Sequence, residues 1–332
     1  MVSVVGAESL LGRELIDVLN TRPLPATVKH IATVDPVESP GGILTEQEGE
    51  AVFISSLSAS ELIGSRVVLL AGTPESSKRV AETVRGEANP PTLIDATGAL
   101  EENPAARLRA PMIEETPPSP PAPIYVVAHP AAITVALFLK QLAKSTAIRR
   151  AVIHVFEPVS ERGKKGLDEL QQQTVGLLSF QKLKTAVFDT QISFNMLPQY
   201  GSEAVKSLED VETTVERHLA TLLSTHPQVP MPSLRVVHAP VFHGYSISAW
   251  VEFENRPSKE ELAGGLATAQ IEVRAKGEEA PSNVGAAGQS GITVGALVSD
   301  RNDPRACWFW IVADNLRIAA DNAVEVARGL LA

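Results

Sequence analysis

The chain begins Met1-Val2-Ser3-Val4-Val5-Gly6-Ala7-Glu8-Ser9-Leu10-Leu11-Gly12, a short apolar run that passes directly into a glycine turn. Behind the turn, Leu11, Leu15, Val18 and Leu19 recur at helical spacing, so the pattern predicts strand, tight turn and helix. Further strands are predicted at residues 28–34, 51–54, 67–71, 92–95 and 124–128, with a helix at 75–85. Strands that alternate with helices favour a parallel sheet.

A strand before the turn and a helix after it give the context of a dinucleotide-binding fingerprint. Gly6 permits the sharp turn, Gly12 lets the helix approach the strand, and amides at Leu10 and Leu11 open the helix. Ser9 takes the place of the middle glycine, where its Cβ would crowd a phosphate. Residues 1–128 are therefore predicted to form a Rossmann-type domain. Either this domain binds NAD or NADP through the residues of the turn, or it keeps the turn and binds a dinucleotide weakly or not at all.

An acidic residue, Asp35, ends the second predicted strand about 23 residues beyond Gly12. A carboxylate at that place accepts a hydrogen bond from the adenosine ribose and repels a 2′-phosphate, which favours NAD over NADP. The alternative is that Asp35 only opens the Asp35-Pro36 turn.

Composition limits the classes of function. The chain has 332 residues, of which 44% are apolar, which is enough for two cores. Its net charge of −10 argues against a nucleic-acid binder, because such proteins need a cationic surface. A single cysteine, Cys307, forbids an internal disulfide, and neither a signal peptide nor a membrane-spanning run is expected. A cytoplasmic protein without a membrane partner is predicted.

The remainder is predicted to form an α+β domain at residues 129–311, with a buried helix directly after His129. Long strands are predicted at residues 149–157 and at 234–242 continuing to 254, with helices at 163–178 and 208–223. The sheet is expected to be mixed or antiparallel. Residues 312–332 are assigned to a C-terminal helix that packs back on the first domain through one apolar face.

The order of several short stretches resembles the aspartate-semialdehyde dehydrogenase family along essentially the whole chain. The stretches are Val4-Val5-Gly6-Ala7 with Gly12, Asp95-Ala96-Thr97-Gly98, Ala128-His129-Pro130-Ala131-Ala132, Val159 to Leu170, Phe194-Asn195-Met196-Leu197-Pro198, Ala239 to Gly244, and Val312 to Arg317. The resemblance implies a glyceraldehyde-3-phosphate-dehydrogenase-like fold, an NADP-using activity, cofactor contacts at Gly72, Gly163 and Asn315, and a homodimer formed by the second domain.

The resemblance also implies a catalytic cysteine, an orienting glutamine, a substrate-binding arginine and an acid/base histidine. Those positions are occupied here by Ala132, Glu157, His238 and Tyr245. A methyl group cannot form a thioester, so the chain is most similar to relatives of the family that have lost the cysteine.

Other charged positions depart from the family as well. A phosphate-contacting arginine corresponds to Glu101, and a helix lysine corresponds, by a less certain alignment, to Glu212. The nicotinamide-side loop Ser-Gly-Ala-Gly is Ser160-Glu161-Arg162-Gly163, which places bulky charged side chains where backbone usually approaches the cofactor. The apolar stretch around Cys307 predicts a buried strand. A thiol in such a strand usually behaves as an inert small apolar group.

Three functions follow as hypotheses. The first is a catalytically silent member of the family that acts through binding or assembly. The second is an NAD(P)-dependent oxidoreductase of altered chemistry on a small carbonyl substrate, with Glu157, His238 or Tyr245 moving protons. The third, ranked last, is the family's own oxidation of aspartate semialdehyde.

The same altered positions allow two interpretations of the pocket. His129, Glu157 and His238, with His243 nearby, present ligands for zinc or iron. The alternative, which we favour, is that these side chains hydrogen-bond one another and fill a disused site.

Overall fold

The computed structural model describes residues 1–33, 41–47, 50–115 and 120–332, which divide into two units. The first unit comprises Met1–Ala128 and Ala319–Ala332, and the second comprises His129–Ile318. Asp35, which the sequence analysis assigned to a ribose, lies outside the described residues.

The first unit is built on one eight-stranded sheet. Its strands are β1 (Val2–Val5), β2 (Val28–Ala32), β3 (Gly42–Gln47), β4 (Glu50–Ser56), β5 (Val67–Leu70), β6 (Thr92–Asp95), β7 (Ala106–Arg109) and β8 (Ile124–Val127). Its helices are α1 (Leu10–Thr21), α2 (Ala59–Leu62) and α3 (Pro74–Val84). The strand order is β3-β4-β2-β1-β5-β6-β8-β7, and every pair is parallel except β3 with β4.

The predicted parallel α/β sheet is therefore confirmed, and its register positions the glycine turn. Val5, the last residue of β1, pairs with Ile31 of β2 and with Leu70 of β5. The turn after β1 consequently lies between the carboxyl ends of these two strands, the edge at which doubly wound sheets bind ligands. Strands β3 and β7 were not predicted, because neither segment of the sequence contains a long run of apolar residues.

The second unit contains a six-stranded mixed sheet with the order β10-β9-β11-β14-β13-β12. Its strands are β9 (Ile148–Glu157), β10 (Ser233–His238), β11 (Tyr245–Phe253), β12 (Ile271–Val273), β13 (Ile292–Ser299) and β14 (Ala306–Ala313). Its helices are α4 (Pro130–Ser145), α5 (Gly163–Leu178), α6 (Leu208–Leu223), α7 (Lys259–Leu266) and α8 (Asn283–Ala286), with a 3₁₀ turn at Val159–Arg162 before α5.

The single long strand predicted at 234–254 is wrong. The segment forms two strands: β10 runs parallel to β9, and β11 runs antiparallel to it. Pro240 offers no backbone donor between them, and Gly244 adopts a φ of +80° that turns the chain. The carbonyls of Val241 and Phe242 instead accept hydrogen bonds from the turn that follows β9.

The last helix, α9 (Asn315–Leu331), begins in the second unit, and its residues from Ala319 onward belong to the first. Within the first unit, the side chain of Asn322 accepts a hydrogen bond of 3.1 Å from the amide of Met112. Arg328 donates a hydrogen bond of 3.0 Å to the carbonyl of Arg22. Of the described helices, none has the length and hydropathy needed to cross a membrane.

Candidate functional site

The glycines of the first turn are required by close backbone approach. Gly6 has a φ of +87°, and a Cβ built on it would lie 2.3 Å from the Cα of Gly72. A Cβ on Gly12 would lie 2.0 Å from the carbonyl oxygen of Gly6. Strand, turn and helix therefore pack as closely as a dinucleotide fold requires.

Ser9, in the place of the middle glycine, is the N-cap of α1. Its hydroxyl accepts the amide of Gly12 at 2.8 Å and donates to the carbonyl of Ala71 at 2.7 Å. The amides of Leu10 and Leu11, in the first turn, have no acceptor within the helix. The positive end of α1 thus fits an anionic group, while the Cβ of Ser9 remains at the turn.

In the second unit, Ala132, the residue to which the resemblance assigns the position of the nucleophile, lies in the first turn of α4. Ala132 is completely buried. His129 caps this helix: its Nδ1 accepts the amide of Ala131 at 3.3 Å, and its own amide donates to Nδ1 of His218 at 2.8 Å. The start of α4 is therefore held by imidazoles, and position 132 contributes only a methyl group.

Four buried side chains, which we call the Glu157 cluster, surround the ends of β9 and β10: Glu157, Arg162, Tyr200 and His238. Glu157 and His238 are register partners on these parallel strands. Arg162 donates from Nη1 and Nη2 to the two carboxylate oxygens of Glu157, at 3.2 Å each. The hydroxyl of Tyr200 donates to Glu157 at 3.0 Å and lies 3.1 Å from Nδ1 of His238.

The hydrogen bonds of Tyr200 determine which ring nitrogen of neutral His238 carries the hydrogen. A tyrosine has one proton, so when it is given to Glu157 the oxygen accepts from Nδ1–H of His238 and leaves Nε2 as an acceptor. Within the described residues, that Nε2 atom is buried without a hydrogen-bond partner. Burial lowers the pKa of His238 to about 4, against a smaller opposing effect of the backbone at Ile192.

The charges of this cluster reinforce one another. Burial by itself lowers the pKa of Arg162, but the Glu157 carboxylate outweighs that effect and the pKa is raised. Burial and the same carboxylate raise the pKa of Tyr200. Arg162 also lies over the ring of Tyr200, 5.6 Å from its centroid. The cluster is therefore a neutralised ion pair with a protonated phenol beside it.

A second group, the Asn315 cluster, consists of Ser160, Glu161, Gly244 and Asn315. The side-chain oxygen of Asn315 accepts from the Ser160 hydroxyl at 3.1 Å and from the Gly244 amide at 3.0 Å, and its nitrogen donates to Glu161 at 2.8 Å. Burial, with the nearby charge of Glu157, raises the pKa of Glu161. The carboxamide of Asn315, which the resemblance assigned to the cofactor, thus accepts two hydrogen bonds and donates one within the protein.

Tyr245 and His129 adjoin the Asn315 cluster. Nε2 of His129 lies 3.7 Å from the Glu161 carboxyl, and its ring centroid lies 6.2 Å from that of Tyr245. Burial raises the pKa of Tyr245 well above its ordinary value, and the Glu161 carboxyl adds to the rise. Burial, together with the charge of Lys206, holds the pKa of His129 well below its ordinary value. The Tyr245 hydroxyl makes no hydrogen bond of ordinary geometry to any described group.

Several other residues singled out from sequence stand apart from these clusters. Glu212 accepts the Val236 amide at 2.8 Å and pairs with Arg235 at 3.3 Å, so it ties α6 to β10. Cys307 is buried in β14, as predicted, and burial raises the pKa of its thiol. Tyr245 pairs with Ala313 at the far end of β14, which places Cys307 about 20 Å away along the strand.

A metal ion is not supported by this geometry. In the part of the chain that the structure describes, no group of three or more His, Cys, Asp or Glu side chains is arranged to hold one. Of the candidates His129, Glu157 and His238, the carboxylate of Glu157 is already engaged by Arg162 and Tyr200.

Sequence reasoning missed two members of the Glu157 cluster. Arg162 was interpreted only as a bulky substitution in a loop, and Tyr200 was not singled out. No local signal marks Tyr200, since it lies 43 residues from Glu157 in the chain. Arg162 follows Glu157 by five residues, a spacing that pairs them only because a 3₁₀ turn reverses the chain between them.

The chain is similar to known proteins along nearly its whole length. A family model described as the semialdehyde dehydrogenase dimerisation domain matches residues 139–318, more than half of the chain. The aspartate-semialdehyde dehydrogenase of Rickettsia bellii is 27% identical, with 99% of this chain and 97% of that protein covered. A USG-1 protein homolog of Pseudomonas aeruginosa is 29% identical over the same shares.

Solved structures agree with these relatives. A probable aspartate-semialdehyde dehydrogenase from Pseudomonas aeruginosa superposes with a TM-score of 0.84 at 28% identity, covering 99% of this chain and 98% of that one. The Candida albicans aspartate-semialdehyde dehydrogenase solved with NADP has a TM-score of 0.66 at 14% identity, over 99% and 98% of the two chains, and so shares the fold.

Proposed function

The chain belongs to the semialdehyde dehydrogenase family, and from that premise we propose that it retains the family's fold and dinucleotide site but not its covalent chemistry. The observation that carries the proposal is Ala132. This residue occupies the nucleophile position implied by the family resemblance, is buried in the first turn of α4, and has no atom able to attack a carbonyl carbon.

No other thiol can take over that role within one chain. Cys307 is the only cysteine of the sequence. Its place in β14, about 20 Å along the strand from the residue paired with Tyr245, keeps it away from both clusters. Its raised pKa also keeps the thiol protonated, whereas the thiolate is the nucleophile.

The groups that would assist the nucleophile are likewise unsuited to moving protons at neutral pH. A general acid or base works best when its pKa lies near the pH of the reaction. The pKa of His238 is lowered to about 4, and those of Tyr200 and Tyr245 are raised. Glu157, at the glutamine position, is held by Arg162.

We further propose that the Glu157 cluster fills the former substrate pocket. A buried carboxylate must be paired, because an uncompensated charge is costly in a low-dielectric interior. Arg162 and Tyr200 supply that pairing from within the chain, so a substrate carboxylate would have to displace an existing partner. The arrangement supports a binding or assembly role rather than turnover.

We also propose that the chain binds a nicotinamide dinucleotide. The close-packed Gly6 and Gly12 and the first-turn amides of α1 support a pyrophosphate site. When bound, such a cofactor supplies hydride transfer at its nicotinamide ring. The chain's own contribution would be to hold the pyrophosphate at Leu10 and Leu11, with the capping hydroxyl of Ser9 turned inward.

A cytoplasmic homodimer completes the proposal, since the matched segment is the family's dimerisation domain. One face of the second sheet supports it: Phe156 of β9 and Trp310 of β14 are partly exposed, with ring centroids 5.8 Å apart. Trp308, two residues before Trp310, is on the same face and 38% exposed. A second copy of the chain would cover these aromatic rings.

A second function is favoured by one observation: the buried polar atoms that make no hydrogen bond of ordinary geometry within the described residues include Nε2 of His238 and the Tyr245 hydroxyl. Nε2 of His238 could accept a proton and the Tyr245 hydroxyl could donate one, as an oxidoreductase acting on a small carbonyl without a thioester would need. Their pKa shifts, in opposite directions away from neutrality, weigh against it.

The decisive experiment incubates the purified protein with aspartate semialdehyde, phosphate and either NADP or NAD, and records reduced cofactor. We expect no phosphate-dependent reduction. Ala132→Cys, incubated without phosphate so that a thioester would persist, serves as the matched variant: intact mass should show no acyl adduct on the unmodified chain, and any adduct that forms should be confined to the variant. Turnover or an adduct with the unmodified chain would overturn the proposal. In a parallel assay that supplies NADH or NADPH and other small carbonyls, oxidation of the reduced cofactor without phosphate would favour the second function.

A further inference from the structure

A carboxylate that the sequence analysis did not single out lies at the dinucleotide turn. Glu8 belongs to the turn between β1 and α1, and Thr33 follows directly after β2. One oxygen of the Glu8 carboxylate accepts both the amide of Thr33, at 2.9 Å, and the hydroxyl of Thr33. These two hydrogen bonds hold the carboxylate at the carboxyl end of β2.

The other oxygen of this carboxylate is unused. Oε2 of Glu8 is buried and has no hydrogen-bond partner among the described residues. A buried acceptor without a donor is unfavourable, the more so when the group is charged. The first oxygen is fixed by Thr33, so the second cannot turn to solvent without losing those bonds.

The end of the second strand is where a doubly wound domain recognises the adenosine ribose. There, an acidic side chain accepts a hydrogen bond from the ribose 2′-hydroxyl of NAD. A 2′-phosphate at the same place would bring negative charge against the carboxylate and supply no donor. Glu8 presents a carboxylate oxygen at this position from the preceding turn rather than from the strand itself.

We infer that Glu8 is a specificity-determining residue of the dinucleotide site: its free oxygen accepts the ribose hydroxyl of NAD, and its charge excludes the 2′-phosphate of NADP. The inference rests on the dinucleotide site proposed above. It assigns the choice of cofactor to a residue in the turn, held by Thr33, and it requires no contribution from Asp35.

Calorimetric titration of the purified full-length chain with NAD and with NADP tests this. We expect NAD to bind at least about tenfold more tightly than NADP. Glu8→Gln keeps an acceptor for Thr33 but removes the charge, so it should reduce the difference to less than about threefold, chiefly by improving NADP binding. Glu82→Gln, an exposed carboxylate on α3, is the matched control and should leave the ratio unchanged.

The outcomes separate this inference from the site on which it rests. A wild-type chain that binds NADP as tightly as NAD overturns the inference alone, and so does an unchanged ratio in Glu8→Gln. A chain that binds neither dinucleotide overturns the site and the inference together. If Glu8→Gln does not fold by circular dichroism, Glu8→Asp, which keeps the charge but shortens its reach, should weaken NAD binding severalfold; unchanged NAD binding would contradict the assignment.

Discussion

Arg162 and Glu157 form a bidentate ion pair, with two parallel hydrogen bonds of 3.2 Å, and their side chains are only 7% and 1% exposed. The family resemblance places a glutamine at position 157 and small residues at the loop position of Arg162. In this chain the buried carboxylate of Glu157 is neutralised by the guanidinium of Arg162.

Breaking this pair on one side should be strongly destabilising. Removal of one partner from a buried pair leaves an uncompensated charge, so Arg162→Met should lower the free energy of unfolding by about 3–5 kcal/mol. Urea denaturation measures this value. The exposed pair of Lys164 and Asp168 provides the control: Lys164→Ala should cost less than about 1 kcal/mol. The double variant Glu157→Gln/Arg162→Met should lose less than the sum of the single losses, and additive losses would show that the two side chains do not act together.

Acidification should destabilise the fold through His238. Its folded pKa of about 4 lies below the ordinary histidine value of 6.5, so the unfolded state binds the proton first. Stability from this group is therefore present above pH 6.5 and is lost as the pH falls toward 4, by on the order of 3 kcal/mol.

Two measurements check the effect of His238. Urea denaturation between pH 7 and 4 should show a shallower loss of stability in His238→Gln than in the wild type. The imidazole resonances of His238, followed by NMR, should titrate near pH 4 while the protein remains folded. A midpoint near 6.5 would contradict the burial of this ring as the cause.

Ser9→Gly should strengthen dinucleotide binding at little cost to the fold. Glycine is a tolerable N-cap, so the loss of the hydroxyl bond to Gly12 should cost only a few tenths of a kcal/mol. Removal of the Cβ opens the turn to a phosphate, and calorimetry should show NAD bound severalfold more tightly. Ser258→Gly removes the equivalent cap of α7 in the second unit and should leave NAD binding unchanged. Equal or weaker binding by Ser9→Gly would mean that Ser9 does not obstruct the phosphate.

A charge on the aromatic face of the second sheet should dissociate the proposed dimer. In Phe156→Glu a carboxylate replaces a ring that packs at a tilt beside Trp310, and burial of that carboxylate at an interface without a partner is unfavourable. Sedimentation velocity should show a dimer for the wild type and a monomer for this variant. Val284→Glu, at an 88% exposed apolar residue of α8, should remain dimeric. Dissociation by both variants, or by neither, would place the interface elsewhere.

Much of the architecture was predictable because it depends on local pattern. The run at Val2–Val5, the glycines at 6 and 12 and the helical spacing behind them predict a strand, turn and helix, and the parallel sheet follows. The long second-domain strand was wrong at Pro240 and Gly244, where two residues change the direction of the chain. Asp35, for which a cofactor contact was predicted, lies outside the described residues. The structure instead shows the carboxylate of Glu8 hydrogen-bonded to Thr33, directly after β2.

By itself, the sequence determined that a methyl group stands at position 132, where the family resemblance places a cysteine, and a methyl group cannot act as a nucleophile. Only the tertiary structure decided which side chains lie together around the ends of the strands. Tyr200 reaches Glu157 across 43 residues, and Glu8 reaches Thr33 across 25. Such pairings depend on which strands lie side by side and in which register. The local sequence pattern around each residue does not predict these long-range contacts.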